Sequence, residues 1–291
     1  MSSVRLDGTS NPFISQPYVS QRDSGQGPSV GTLLANRYRV ERLIGRGGFS
    51  SVFLAYDNLR GEDVALKAAI TPAYNPEIAR AVLQHELRMY TRIGCHPRIL
   101  RVFDLHYIPK GDSGVLLLSM EHAEESLRDR LTEYRDDYAT RLALGPEYLE
   151  QMCLAVSPVH RAGIVHLDIK PENFFFVGGL LKIADFGAAR HIHMIEMNNG
   201  NPVPSLGIRI GTPEYMAPEL LMATNPRDVH PRADAFSIGV IGFELLSREC
   251  RPPCGASYEE LQARCRSLIA STGSSKLANV ARVLARCLEK V

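Results

Sequence analysis

The sequence predicts an α+β protein in which a strand-rich N-terminal part with one helix precedes a mainly helical C-terminal part. Three observations predict it. Short segments between residues 37 and 121 alternate polar and apolar residues, or run apolar for a few positions, as strands do. One segment among them, Pro76–Ile93, repeats its apolar residues at helical spacing. Farther on, Pro146–Ala162, Asp234–Leu246 and Leu277–Leu288 read as helices, with only one pair of short β-prone runs between them.

Residues 1–30 are rich in Ser, Gln, Gly and Pro and poor in aliphatics. Such a segment cannot bury enough apolar surface to offset the entropy of ordering it. A disordered tail is expected there, with a folded domain over 31–291. Arg37–Ile44 alternates as a half-buried strand, Gly45-Arg46-Gly47-Gly48-Phe49-Ser50 makes a turn, and Ser51–Tyr56 resumes as a strand. Glycines in such a turn let backbone N–H groups approach a phosphate closely. Val64–Lys67 is an apolar strand ending in a lysine, which needs an anionic partner. In Pro76–Ile93 the stripe is Ile78, Val82, Leu83, Leu87 and Tyr90, and Glu86 lies at its edge. An inward carboxylate must be paired, and Lys67 is the candidate. His96–Leu100 ends the helix and starts another strand. Val115–Glu121 is a buried strand leading into the connector 122–125.

Ser126-Leu127 starts a helix. Pro146–Ala162 sets Tyr148, Leu149, Met152, Ala155, Val156 and Val159 on one face of a long core helix, with Pro158 as a kink near its end. It leads into HLDIKPENFFFVGGLLKIADFG, His166 to Gly187. Gly178-Gly179 between the β-prone runs Phe174–Val177 and Leu180–Ala184 is a hairpin signal. That hairpin brings Asn173, before its first strand, beside Asp185, after its second. Two oxygen donors side by side suit Mg²⁺, a hard cation held by one or two carboxylates plus substrate phosphates. Asp168 can accept a proton from an attacking hydroxyl, and Lys170 can neutralise a phosphoryl oxygen. The constellation suits phosphoryl transfer. The aperiodic segment Ala188–Arg209 reads as a long loop, functional or disordered. Its His191-Ile192-His193-Met194 run is read as solvated loop rather than metal site.

H-L-D-I-K-P-E-N followed by D-F-G resembles the catalytic and metal-binding loops of the eukaryotic-type serine/threonine protein kinase family. G-R-G-G-F-S-S-V resembles the phosphate-covering loop of that family, with Ser50 in place of its third glycine. V-A-L-K resembles its V-A-I-K strand, and G-T-P-E-Y-M-A-P-E (Gly211 to Glu219) the end of its activation segment. The resemblance runs from about Tyr38 to Val291. It implies a bilobal protein-kinase fold with an N-lobe over 31–121, a hinge over 122–125, and a C-lobe over 126–291 that stops before the family's last helix. It implies ATP and Mg²⁺ as cofactors and a protein Ser or Thr hydroxyl as acceptor. By the same resemblance Asp168 receives or orients the acceptor hydroxyl, Lys170 stabilises the γ-phosphoryl, and Asn173 and Asp185 hold Mg²⁺. The nucleotide would be met by Gly45, Arg46, Gly47, Gly48, Phe49, Ser50 and Val52, and by Lys67 oriented by Glu86. Ala65, Met120, Glu121, Ala123 and Phe175 complete that set. Asp234 is expected to cap its helix and to bond the backbone of the catalytic loop. Glu219 is expected to need a cation, with Arg248 or Arg251 as candidates.

Lys+Arg 33 against Asp+Glu 32 leaves a net charge of +1, which excludes a nucleic-acid protein held by its overall charge. Six cysteines scattered over 291 residues read as reduced thiols of a cytoplasmic protein rather than as a disulfide framework. No run reaches the length of a membrane span, and no signal peptide is evident.

One departure from the family pattern has a mechanistic consequence. Leu167 stands where kinases switched by activation-loop phosphorylation carry an arginine. Leucine cannot form the charge-assisted bond that docks a phosphate, and Arg190 is the one nearby basic residue that could replace it. Activity is therefore expected not to depend strongly on phosphorylating Thr212 or Ser205. The rival reading is a pseudokinase that binds nucleotide or a partner and transfers nothing; a small-molecule acceptor is a further alternative.

Overall fold

Strands begin where aliphatic residues do. In the computed structural model, which describes residues 28–70, 76–110, 113–192, 211–221, 229–247, 258–271 and 274–288, the first strand is β1, Leu33–Leu34. The tail over 1–27, most of the loop 188–209, Ser205, and the residues Arg248, Cys250, Arg251 and Cys254 lie outside the described residues. The described residues fall into two units. One takes those up to Leu83 together with Val102–His122, and the other Gln84–Arg101 together with those from Ala123 on.

The first unit is an antiparallel sheet of six strands in the order β1-β2-β3-β4-β6-β5. Its strands are β2 (Tyr38–Arg46), β3 (Ser51–Asp57), β4 (Glu62–Ala68), β5 (Val102–Lys110) and β6 (Ser113–Glu121). The alternation in the sequence appears as alternating burial: Tyr38, Val40, Phe53, Ala55, Val64, Leu66 and Leu117 share one core. Tyr38 is fully buried, and its hydroxyl is satisfied by His106 Nε2 at 2.9 Å and Ser119 Oγ at 3.1 Å. Arg37 clamps the fully buried Asp57 through Nε at 2.7 Å and Nη2 at 2.6 Å, and the same aspartate accepts the N–H groups of Leu59 and Arg60 at the next turn.

The helix α1 spans Pro76–Ile93, as its spacing predicts. In the second unit, β7 (Glu125–Ser126) precedes α2 (Leu127–Glu133), whose N-cap Ser126 forms a reciprocal capping box with Asp129. The long helix α3 runs over Tyr138–Arg161, eight residues earlier than the expected start at Pro146. Asp137 caps it by accepting the Thr140 N–H at 3.0 Å, and its first turns are pinned by Tyr138 and Arg141, which donate to the Leu246 and Glu244 carbonyls. These contacts keep the helix going through Pro146, which sits inside it.

β8 (Ile164–Val165), the hairpin β9–β10 (Phe174–Val177 and Leu180–Ile183) and β11 (Arg190–His191) follow, and β11 pairs with β8. Gly178 and Gly179 both take positive φ, 57° and 76°, as a two-residue hairpin turn requires. α4 is the single turn Pro218–Leu221 and α5 is Arg232–Leu246. α5 is buried on every face, as a helix apolar all round must be. A Cβ on its Gly242 would collide with Leu149 of α3 and with Leu284, so the glycine is what admits both neighbours. Leu284 belongs to α7 (Ser275–Cys287), preceded by α6 (Tyr258–Ser271), a helix that the sequence reading did not place. Among the described residues no helix is long and apolar enough to cross a membrane.

Candidate active site

Asp168 stands on a loop whose backbone is held by a buried carboxylate. Asp234, fully buried, accepts the His166 N–H at 2.8 Å and the Leu167 N–H at 2.9 Å, and His160 Nε2 donates to it at 2.7 Å. Leu167 is held at φ +66°, a left-handed conformation that costs a branched side chain on the order of 1–3 kcal/mol. The Asp234 bonds fix it there. The sequence reading of Asp234 is thus half corrected. It bonds the loop backbone as expected, but it does not cap α5. It lies in the first turn, the N-cap position is Pro231, and both its oxygens are spent on His160 and the loop.

Three side chains then close a triangle. Lys170 Nζ donates to Asp168 Oδ2 at 2.8 Å and to Thr212 Oγ1 at 2.9 Å, and Thr212 Oγ1 donates to Asp168 Oδ1 at 2.8 Å. The Asp168 and Lys170 side chains keep 12% and 22% of their surface exposed, so the pair is reachable. Asn173 ends the short turn Pro171–Asn173 and is 4% exposed. Its Nδ2 donates to the Asp168 carbonyl at 2.7 Å and to Asp168 Oδ2 at 3.2 Å. With the amide hydrogens so committed, Oδ1 is the atom left for a cation.

The hairpin does what its spacing predicts. Ile183 pairs with Phe174, and the Ala184 N–H donates to the Asn173 carbonyl at 3.0 Å, so Asp185 follows directly beside Asn173. Asp185 also has positive φ, 65°, and its N–H donates to the Tyr90 hydroxyl at 3.3 Å. Phe186 is fully buried, edge-on to Tyr90 with ring centroids 4.8 Å apart and tilted on His166 at 5.0 Å. Burial, with the negative charges of Glu86 and Asp185 nearby, pushes the Tyr90 phenol well above its ordinary pKa. Glu86 is 1% exposed, the inward carboxylate that the helix edge predicts.

Phe175 is half-buried on β9, opposite Lys182 and Ser126, and Ala123 is half-buried ahead of β7. Arg190 does not stand ready as a phosphate dock. Its guanidinium donates to the Ala188 and Ala189 carbonyls at 2.8 and 2.9 Å, and burial lowers its pKa. Glu219 is partly buried, and its candidate partners Arg248 and Arg251 lie outside the described residues.

In the first unit, Gly45 and Arg46 end β2 opposite Val52 and Ser51, and the Gly47 N–H closes the turn on the Ser50 carbonyl at 2.8 Å. Gly48 and Phe49 form the tip. A Cβ at Gly45 or Gly47 would meet nothing closer than 3.8 or 3.7 Å, and neither backbone is left-handed. The protein's own packing therefore does not demand these two glycines. Lys67, 8% exposed, lies on β4 between Val52 of β3 and Leu118 of β6. Ala65 faces Met120, both buried, and Glu121 faces Val64.

Thr212 is the site residue that sequence reasoning missed, having been weighed only as a phosphate acceptor. Its hydroxyl is committed to Asp168 and Lys170. The available signal was a hydroxyl residue in G-T-P-E-Y, with nothing local to say where it points.

A family model described as protein kinase domain matches residues 38–283. The chain is 33% identical over 231 residues to serine/threonine-protein kinase PknA of Mycobacterium tuberculosis, covering 78% of this chain and 50% of that relative. It is 34% identical over 257 residues to serine/threonine-protein kinase Pkn1 of Myxococcus xanthus, covering 84% and 33% respectively. A Wee1-like protein kinase of Oryza sativa is 30% identical over 246 residues, covering 83% and 43%. The chain spans half or less of the length of these curated relatives.

Proposed function

The chain belongs to the protein kinase domain family, and from that premise we propose that it transfers the γ-phosphoryl group of ATP to serine or threonine hydroxyls of a protein. The observation that carries the reading is the Asp168–Thr212–Lys170 triangle. In the transfer the acceptor oxygen forms a bond to the γ-phosphorus as the bond to the ADP oxygen breaks. Asp168 takes or orients the proton that the hydroxyl gives up. Lys170 offsets charge on the transferring group, and Thr212 holds both side chains in place. Catalysis of this kind is mostly positioning and charge neutralisation around a loose phosphoryl transition state.

Asn173 Oδ1 and the Asp185 carboxylate are the hard oxygen donors that fit Mg²⁺, and the bound cation supplies neutralisation of phosphate charge. We assign the nucleotide's phosphates to the turn Gly45–Ser50 and to Lys67. The two glycines that internal packing leaves unexplained support this, since a backbone without side chains admits a ligand closely. Val52, Ala65, Met120, Glu121, Ala123 and Phe175 are assigned to the rest of the nucleotide. On this reading activity does not depend strongly on phosphorylating Thr212 or Ser205. Leu167 cannot dock a phosphate, and Arg190 is already spent on backbone carbonyls. Free thiols at Cys95, Cys153, Cys265 and Cys287 support a cytoplasmic setting.

The test is transfer of labelled γ-phosphate from ATP with Mg²⁺ to a basic acceptor protein and to the chain itself, with identification of the labelled residue. Label on Ser or Thr is expected. No transfer, while ATP still raises the melting temperature, would replace this reading with that of a nucleotide-binding pseudokinase.

A further inference from the structure

Arg128, the second residue of α2, spends its guanidinium on three separate segments. Nε donates to Glu172 Oε1 at 2.7 Å, and Nη1 to Glu244 Oε1 at 2.7 Å. Nη2 donates to the Tyr215 hydroxyl and, at 3.5 Å, to Glu244 Oε2. The Tyr215 hydroxyl in turn donates to Glu244 Oε2 at 2.9 Å. Glu244 lies on the buried helix α5 and is 4% exposed, and Tyr215 is 3% exposed. The cluster is therefore anchored to the core of its unit.

Two of the three segments reach the transfer site through a single tight turn. Glu172 sits in the turn where the Asn173 N–H bonds the Lys170 carbonyl at 3.0 Å. Tyr215 closes the turn in which its N–H bonds the Thr212 carbonyl at 3.0 Å. We propose that Arg128 is a positioning residue for phosphoryl transfer: it fixes the catalytic loop and the Thr212–Tyr215 turn at one separation, and so keeps the Thr212 hydroxyl between Asp168 and Lys170. The role rests on the kinase reading above. It requires arginine, because a planar fork reaches all three partners at once and a lysine ammonium is a single point of charge. Arg130, two residues on, makes an ordinary pair with Glu125 at 2.6 Å and touches neither segment.

The experiment compares Arg128→Lys, Tyr215→Phe and Arg130→Lys with the unmodified chain, by steady-state kinetics and by amide hydrogen exchange. Arg128→Lys keeps a cation beside Glu244, and melting curves check that it folds. The expected result is a kcat lower by about 10²-fold, the usual cost of a misplacement near 1 Å, with KM for ATP unchanged. Exchange at Asn173 and Thr212–Tyr215 should speed up in the same variant. Tyr215→Phe moves both readouts the same way by less, and carries the test alone if Arg128→Lys does not fold. Arg130→Lys moves neither. Unaltered exchange at those amides, or an equal kcat loss in Arg130→Lys, overturns the proposal. An unmodified chain that transfers no phosphate sinks the kinase reading, and the exchange measurement still decides whether Arg128 fixes the two segments.

Discussion

In each unit a cation is held against an aspartate, and the two pairs Arg37–Asp57 and Lys170–Asp168 are built to opposite ends. In the sheet unit, Arg37 meets Asp57 at 2.6 Å, where the carboxylate is fully buried and also accepts two backbone N–H groups. Burial alone would raise the Asp57 pKa, but the Arg37 hydrogen bonds and the amides of Leu59 and Arg60 hold it below the usual carboxylate value. In the helical unit, Lys170 meets Asp168 at 2.8 Å with both side chains partly exposed and a threonine hydroxyl bridging them. A rigid fork saturating a buried carboxylate fixes a turn. A point charge and a hydroxyl beside a reachable carboxylate can exchange partners with a substrate. The same two charges thus serve architecture in one place and, on the proposed function, chemistry in the other.

Substitutions can break this contrast from either side. Asp168→Asn, which removes the proposed proton acceptor, is expected to lower kcat by about 10²–10⁴-fold while leaving the melting temperature nearly unchanged. Asp57→Asn should do the reverse. It uncouples a buried pair, which costs about 3–5 kcal/mol in urea unfolding, and turnover per folded molecule stays the same. Thr212→Val removes the bridge but neither charge, so kcat is expected to fall by about 10–10²-fold, the worth of a hydrogen bond to charged groups.

The smallest effect is one of pH. Burial and the nearby Arg37 lower the pKa of His106 in the folded sheet. The unfolded chain therefore binds this proton near pH 6.5, before the folded chain does, and stability is lost as pH falls through that value. Thermal melts from pH 8 to pH 5 should show the decline, and His106→Gln should flatten it. An unchanged slope in that variant would remove His106 from the account.

Periodicity and turn chemistry made much of this legible. The bounds of α1, the Gly178-Gly179 hairpin and the adjacency of Asn173 and Asp185 follow from residues close in sequence. Lys170 and Asp168 are two residues apart, so their pairing was within reach of the same reasoning. Thr212 is 42 residues from Lys170 and 44 from Asp168, and no local pattern says that a distant turn returns its hydroxyl to them. The start of α3 was misplaced because Pro146 looks like a first-turn proline. Contacts from Tyr138 and Arg141 to the end of α5 carry the helix across it. Arg128 went unread for the same reason, since its partners lie on other elements.

The most direct measurement follows γ-phosphate transfer and thermal unfolding together on the unmodified chain, Asp168→Asn and Asp57→Asn. Transfer is expected to fall by about 10²–10⁴-fold in Asp168→Asn at an unchanged melting temperature, and to persist per folded molecule in a destabilised Asp57→Asn. Transfer at the rate of the unmodified chain in Asp168→Asn would contradict this, because the proton acceptor would then lie elsewhere.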